Sequence, residues 1–394
     1  MPGSGCDGAA NTLQFHIQNL TLNIRAIARR CGALIAATLA IAACAPAAAQ
    51  GYPNKSIRFV VPFAEVDTSG LVSRRPVRGK DAQAAGFYPT AMAMPQSYPT
   101  KPIRFVVPFA PGGGTDIVAR LLAQRLNETL GQPVVVDNRG GAGSTLGSDI
   151  VCKAPPDGYT MLLGNISLAF NTWLYKSLPY DAVRDLAAVS MVAVQPNIVV
   201  IHPSVPAKSI KEFADYARAN PGKLSYASAG AGSGTHLAGE MLKDRLKIDM
   251  VHIPYKGTGP AVTDLIGGQV QVMISTFASA LPHVRSGRLR ALGVTSAKRS
   301  TATPDVPTLI EAGVPDFDYS TWYALFVPAR TPRAIIDKLN QATRQVLATD
   351  DMKQKFDAQG VDAWSTTAAE LGAYLRAETG KWGKVVRAAG IPQL

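Results

Sequence analysis

From residue 101 onward the chain alternates short apolar runs with segments of helical period, and glycine-rich loops follow several of those runs. That alternation is the signature of strand–helix–strand units, which lay strands side by side and cover the sheet with helices on both faces. The expected strands are Ile103–Phe109, Val134–Val136, Tyr159–Leu163, Leu224–Ala227, Met250–Ile253, Val270–Ser275, Leu289–Val294 and Tyr323–Val327. Helices are expected over Thr115–Leu130, Ser148–Lys153, Ser209–Ala219, Leu237–Leu246, Pro260–Ile266 and Ala280–Arg285. Three more are expected near Arg333–Ala348, Asp351–Gln359 and Ala368–Ala388. In the first of these helices Ile117, Leu121, Leu122 and Leu126 recur at helical spacing, and Gly131 stands at the stop. Ala188–Ile201 is a long apolar run, readable as two strands or as one strand crossing between domains. The pattern predicts parallel sheets with right-handed crossovers. Ligands of such sheets lie beyond the carboxyl ends of the strands, so the loops that follow strands are the ones to read for chemistry.

A length of 394 residues suggests two domains. A mean hydropathy of +0.07 and a single long uncharged run exclude a polytopic membrane protein. The formal net charge of +12 is spread along the chain. Its one dense cluster (Arg74, Arg75, Arg78 and Lys80) lies in a segment without a core pattern. The excess therefore favours anionic small molecules or a solvated surface, and no nucleic-acid partner is expected.

Residues 31–50 carry no charge and follow Arg25, Arg29 and Arg30. Their apolar core is short, Pro46 breaks it, and Ala47-Ala48-Ala49 supplies small residues for cleavage. The set reads as a secretory signal peptide cut after Ala49, with an uncleaved anchor helix as the alternative. Ile41-Ala42-Ala43-Cys44 also resembles a lipobox, in which Cys44 would carry a lipid and become the mature N-terminus. Cleavage leaves Cys152 alone, expected as a small residue packed in a helix. Residues 52–64 (YPNKSIRFVVPFA) match residues 98–110 (YPTKPIRFVVPFA) at 11 of 13 positions. Only the second copy runs on into a glycine loop and an amphipathic helix. The second copy is therefore expected in the fold, and residues 50–97 as a poorly ordered extension.

Three loops draw attention. Pro111-Gly112-Gly113-Gly114-Thr115-Asp116 ends the first strand and opens a helix, with Thr115 or Asp116 available as its cap. Glycines admit close approach of a ligand, and the unpaired N–H groups of a helix start attract anions. A capped tight turn without a ligand would use the same residues. A phosphate loop would need Gly-Lys-Ser/Thr, which is absent, and Gly140–Thr145 departs from the dinucleotide pattern at Leu146. Ser228–His236 repeats the physics of the first loop with added hydroxyls: Ser228, Gly230, Gly232, Ser233, Gly234 and Thr235. No nucleophile elbow surrounds Ser233, and His236 reads as a capping or core histidine or as a general base without an acidic partner. Tyr255-Lys256-Gly257 follows another strand, and Lys256 there either neutralises a carboxylate or stays solvated. The five histidines show no metal-ligand spacing, so no metal, cofactor or catalytic residue is expected.

These motifs, in order, resemble a known family. They are YPTKPIRFVVPFAPGGGTD, NRGGAGSTLGSDIV, KAPPDGYTMLLGN, SAGAGSGTHLAGE, HIPYKGTGPAVTDLIGGQV, LRALGVTSAKRS with PDVPTLIEAG, and PARTP. From Tyr98 to the C-terminus the chain resembles the substrate-binding proteins of tripartite tricarboxylate transporters, the Bug receptors. The resemblance implies a periplasmic binding protein of type II-like fold, with two doubly wound α/β domains joined by a two-strand hinge. One domain would hold residues 98–200 and 320–394, the other 201–319, and a small carboxylate would bind between them. It implies ligand contacts from Phe109, Ala110 and Pro111 through Asp116, from Ser228 through His236, and less directly from Asn165, Ser167 and Tyr255–Gly257. Ser275 and Thr276 stand where many relatives carry an acidic or aromatic residue, and Thr172-Trp173 replaces the usual Asn-Pro; both departures bear on ligand choice. The implied partners are a large and a small membrane subunit, with the receptor itself a monomer. Two other readings are a carboxylate sensor signalling to a membrane partner and a hydrolase built on the Ser228–His236 loop.

Overall fold

The computed structural model describes residues 98–388 and 393–394. The expected signal peptide, Cys44 and the first copy of the repeat lie outside these residues.

The strands are β1 (Ile103–Val107), β2 (Val134–Asn138), β3 (Thr160–Asn165), β4 (Leu186–Ile201), β5 (Ser225–Ser228), β6 (Val251–Pro254), β7 (Val272–Thr276), β8 (Arg290–Val294), β9 (Ser320–Pro328) and β10 (Asp362–Ala363). The helices are α1 (Gly114–Leu130), α2 (Thr145–Cys152), α3 (Ser167–Leu174), α4 (Ala182–Asp185), α5 (Ile210–Ala219), α6 (Gly234–Leu246), α7 (Thr258–Ile266), α8 (Phe277–Arg285), α9 (Arg333–Ala348), α10 (Asp350–Asp357) and α11 (Ala368–Ala388). The expected elements are present with ends shifted by a few residues, whereas α3, α4 and β10 were not foreseen. The helix start at Thr145 precedes the expected Ser148, behind a short 3₁₀ turn at Ala142–Ser144.

The strands lie in the order β2-β1-β3-β9-β4-β7-β5-β6, with β8 and β10 also paired to β4. The prediction of parallel sheets needs correction. β2-β1-β3 and β7-β5-β6 are parallel groups. Between them β9 runs antiparallel to β3, and β4 runs antiparallel to β9, β7 and β8. The physical reason is connectivity: β4 carries the chain out of the first group and β9 carries it back, so neighbours in the middle point in opposite directions.

The ambiguous run at 188–201 is one 16-residue strand. From Leu186 to Pro196 it pairs with β9, and from Asn197 to Ile201 with β7 and β8. Most of its side chains are buried on both faces, which explains the apolar run without alternation. At the change of partner, the Asn197 amide donates to Thr295 Oγ1 at 2.8 Å and Thr321 Oγ1 donates to Asn197 Oδ1 at 2.7 Å. Around the first group, Ile103, Phe105 and Val107 pack with Leu122 and Leu126 of α1 and Leu339 of α9. Around the second, Val200, Met273 and Ala227 pack with Leu265 of α7 and Leu281 of α8.

Candidate functional site

The loop from Pro108 to Gly113 turns from β1 into α1. Gly113 occupies the N-cap, without a side-chain cap, so neither Thr115 nor Asp116 plays the expected role. Asp116 instead anchors the loop from within the first turn. Its Oδ2 accepts the Gly112 amide at 3.0 Å and Arg120 Nε at 2.9 Å, and its Oδ1 accepts Asn138 Nδ2 at 2.9 Å. The same Asn138 nitrogen donates to Phe109 O at 3.0 Å. Asp116 is buried, and these donors compensate its charge. Gly112 has φ 79°, a left-handed conformation that suits glycine.

The second loop turns from β5 into α6. Ser233 caps the helix through the His236 amide at 3.2 Å. Thr235 Oγ1 accepts the Ala229 amide at 2.8 Å and lies 3.1 Å from Ser233 Oγ. Each hydroxyl oxygen thus accepts one amide, and one hydroxyl proton serves their mutual bond. The other proton remains available to an acceptor outside the loop. Ser228 Oγ accepts the Gly230 amide at 3.1 Å, and His236 Nδ1 accepts the Gly232 amide at 3.3 Å.

The loops meet across the sheet. Ala110 donates its amide to Lys256 O at 2.8 Å, the Gly114 amide donates to Thr258 Oγ1 at 3.3 Å, and Tyr175 OH donates to Ala231 O at 2.9 Å. They border a narrow cavity of about 20 Å³ lined by Phe109, Thr115, Asn165, Ala229, Ser233, Gly234, Thr235, Thr258, Thr276 and Thr321. No charged side chain is among these. The charge preference comes from the helices: α1, α6 and α7 begin at this wall, and Thr276 is the N-cap of α8. Of the four, only α6 has a side chain at its own N-cap; the Gly114 amide of α1 and the Ala278 amide of α8 are taken by Thr258 Oγ1 and Gln195 Oε1, and the other first-turn amides of α1, α7 and α8 are left for another acceptor. Four positive helix ends around a small neutral cavity are an arrangement suited to an anionic group.

Of the residues singled out from sequence, Phe109, Thr115, Asn165, Ser233, Gly234, Thr235 and Thr276 line the cavity. Ala110, Pro111, Gly112, Gly113, Gly114 and Asp116 build the first loop without lining it, and Ser228, Gly230, Gly232 and His236 do the same for the second. Asn165 Oδ1 accepts the Ser167 amide at 3.0 Å, which orients its side chain. Ser167 itself is buried away from the cavity, and Ser275 Oγ donates to the Thr276 carbonyl at 3.1 Å. Tyr255 donates to Asp264 Oδ2 at 2.7 Å, and Lys256 is exposed, so those two side chains point elsewhere. Thr258 and Thr321 are additions. Thr258 sits one residue past Gly257, within a motif already noticed; Thr321 lies on β9, and no local pattern marks it.

Ser228 Oγ and His252 Nε2 are 2.7 Å apart, the separation of a nucleophile and its base. Ser228 is wholly buried behind the loop, however, and no carboxylate bonds to His252. Among the described residues no cluster of three or more His, Cys, Asp or Glu could hold a metal, and no helix is long and apolar enough to cross a membrane.

A mixed sheet with two parallel groups, crossed by two long strands and ringed at one point by helix N-termini, defines a solute receptor of the two-lobe α/β binding-protein class. A family model described as tripartite tricarboxylate transporter family receptor matches residues 118–391, and the chain belongs to that family. It is 41% identical over 282 residues to protein BugT of Bordetella pertussis, covering 71% of this chain and 86% of BugT. The structure of periplasmic binding protein BugD superposes with a TM-score of 0.74 at 36% identity, covering 75% of this chain and all of BugD. MatC from Rhodopseudomonas palustris, solved with bound malate, superposes with a TM-score of 0.70 at 34% identity, covering 73% of this chain and all of MatC. The family is one of periplasmic solute receptors that work with tripartite transporters, as the sequence motifs implied, and its members are not enzymes.

Proposed function

We propose that this receptor binds a small dicarboxylate in the cavity between the Phe109–Asp116 and Ser228–His236 loops. The observation that carries the reading is the convergence of four helix N-termini on a small cavity without charged side chains. Neutral donors and helix ends stabilise a carboxylate, and a cavity of about 20 Å³ admits one only when the two loops move apart. The malate held by MatC supports this class. We assign residues 98–200 with 320–394 to one lobe and 201–319 to the other, because β4 changes partners after Pro196 and β9 begins at Ser320. An open form would take one carboxylate on one loop, and closure would bring the other loop onto it. The closed receptor, a monomer, would dock on a large and a small membrane subunit. Export would follow cleavage after Ala49, with lipidation at Cys44 as the competing route.

The test is a thermal-shift screen of the exported protein against malate and other dicarboxylates, with their diamides as controls. Ligand at 100 times its dissociation constant adds about 2.7 kcal/mol of stability. For about 300 residues unfolding together, at about 2.1 cal/mol/K per residue, that corresponds to a rise of about 4 °C. Stabilisation by an acid and not by its diamide is expected. Equal shifts with acid and diamide, or none across the dicarboxylates, would refute the assignment.

A further inference from the structure

The second loop rests on two stacked imidazoles. His236, in the first turn of α6, and His252, on β6, have ring centroids 4.2 Å apart and planes 21° apart. Tyr226 of β5 also stacks on His252, at 4.8 Å. Each ring supports one glycine of the loop. His236 Nδ1 accepts the Gly232 amide directly, so this nitrogen carries no proton. His252 Nε2 contacts Ser228 Oγ, the same oxygen that accepts the Gly230 amide. Since Ser228 is wholly buried, His252 Nε2 is the natural acceptor for its hydroxyl proton. Gly230 and Gly232 have φ 129° and 77°, so the turn between them relies on these bonds to stay put.

Protonation would undo this arrangement. A proton on His236 Nδ1 turns the acceptor of the Gly232 amide into a second donor. A proton on His252 Nε2 leaves the Ser228 hydroxyl without its acceptor. At 4.2 Å, two charged rings would repel. The charged groups near the pair are Glu240 and Lys243 of α6. Glu240 accepts from Tyr226 OH and pairs with Lys243 Nζ at 3.2 Å, and Lys243 sits 5.7 Å from the Tyr226 ring centre. Burial outweighs the Glu240 carboxylate: it holds the His236 imidazole below its ordinary range and, with the charge on His236, pushes His252 down to about 4.

We infer that His236 and His252 are positioning residues that make the Ser228–His236 loop proton-sensitive, so that a proton taken up by either ring releases the Gly230–Gly232 turn and weakens ligand binding. The inference rests on the reading of that loop as half of the dicarboxylate site.

Two measurements on the full exported protein test it. In the first, malate affinity is followed from about pH 7.5 to about pH 4 in the wild type and in a His236→Asn, His252→Gln double variant. Asn and Gln keep acceptors near the positions of Nδ1 and Nε2 but do not titrate. Each protein is compared with its own affinity at the higher pH, and protonation of malate is common to both. The wild type should lose at least about twofold more affinity than the variant at about pH 4, where half of the His252 rings would be charged. Parallel profiles would overturn the inference. In the second, imidazole ¹⁵N shifts are followed without ligand. Both rings should be neutral at about pH 6.5, with His236 Nδ1 unprotonated. A charged ring at that pH would overturn the inference, whether or not malate binds. Failure of every dicarboxylate to bind at the higher pH would count against the site itself, and the imidazole titration would still decide the role of the histidines.

Discussion

Gly259 is where α7 comes closest to the first loop. A β-carbon there would lie 2.2 Å from Pro111 O and 3.1 Å from the Gly112 carbonyl carbon. Real Cβ contacts essentially never fall below 3.0 Å, so the loop backbone would have to retreat by 0.8 Å or more. Overpacking of this kind costs about 1–3 kcal/mol. Every 1.4 kcal/mol is tenfold in affinity, so Gly259→Ala should weaken dicarboxylate binding about 5- to 150-fold. Gly259 has no positive φ and sits inside a helix, where alanine is favoured by up to about 1 kcal/mol. If the two loops separate in the unliganded receptor, the new methyl group meets nothing there. The variant's unliganded melting temperature should then stay level or rise while its affinity falls. Calorimetric titration with the acid found in the screen, together with thermal denaturation without ligand, separates the two effects. Unchanged affinity would refute the argument that this approach belongs to binding. A loss of unliganded stability as large as the loss of affinity would show that the contact is permanent and not made on closure.

Asp116→Ala should cost about 2–4 kcal/mol in urea denaturation, because it strands the Gly112 amide and Asn138 beside a buried site. Its Arg120 partner is half exposed and adds little. Ser233→Ala removes the cap of α6 and should lower stability by about 1 kcal/mol, while Ser275→Ala, whose hydroxyl lies outside the cavity, should leave dicarboxylate affinity near wild type. Burial, aided by the Asp185 and Asp149 charges, pushes the Cys152 thiol up to about 12. Peptide mapping should therefore find it unalkylated near neutral pH until the protein unfolds. The native state holds its two stacked imidazoles below the unfolded value of 6.5 and so binds fewer protons than the unfolded chain. Stability should thus fall as pH drops from about 6.5 towards about 4, and His252→Gln should flatten that slope.

The loops of the site were legible in the sequence because their chemistry is local. A strand, then glycines, then a hydroxyl before a helical run already specifies a helix start with open amides, and Phe109–Asp116 and Ser228–His236 sit where that pattern placed them. Helices were likewise expected over Ser209–Ala219 and Arg333–Ala348, and they are present at Ile210–Ala219 and Arg333–Ala348. Other features depend on residues far apart in the chain. The direction of β4 against β9, the bond from Thr321 to Asn197 and the place of Thr321 at the cavity all arise where the chain crosses out and returns. The stack of His236 on His252 joins a helix start to a neighbouring strand, so neither motif shows it alone. Hydrophobic periodicity and turn chemistry act over a few residues and so fixed the elements and their anion-ready ends. Which ends converge on one cavity, and which side chains are free to face it, was decided by the pairing of strands remote in sequence.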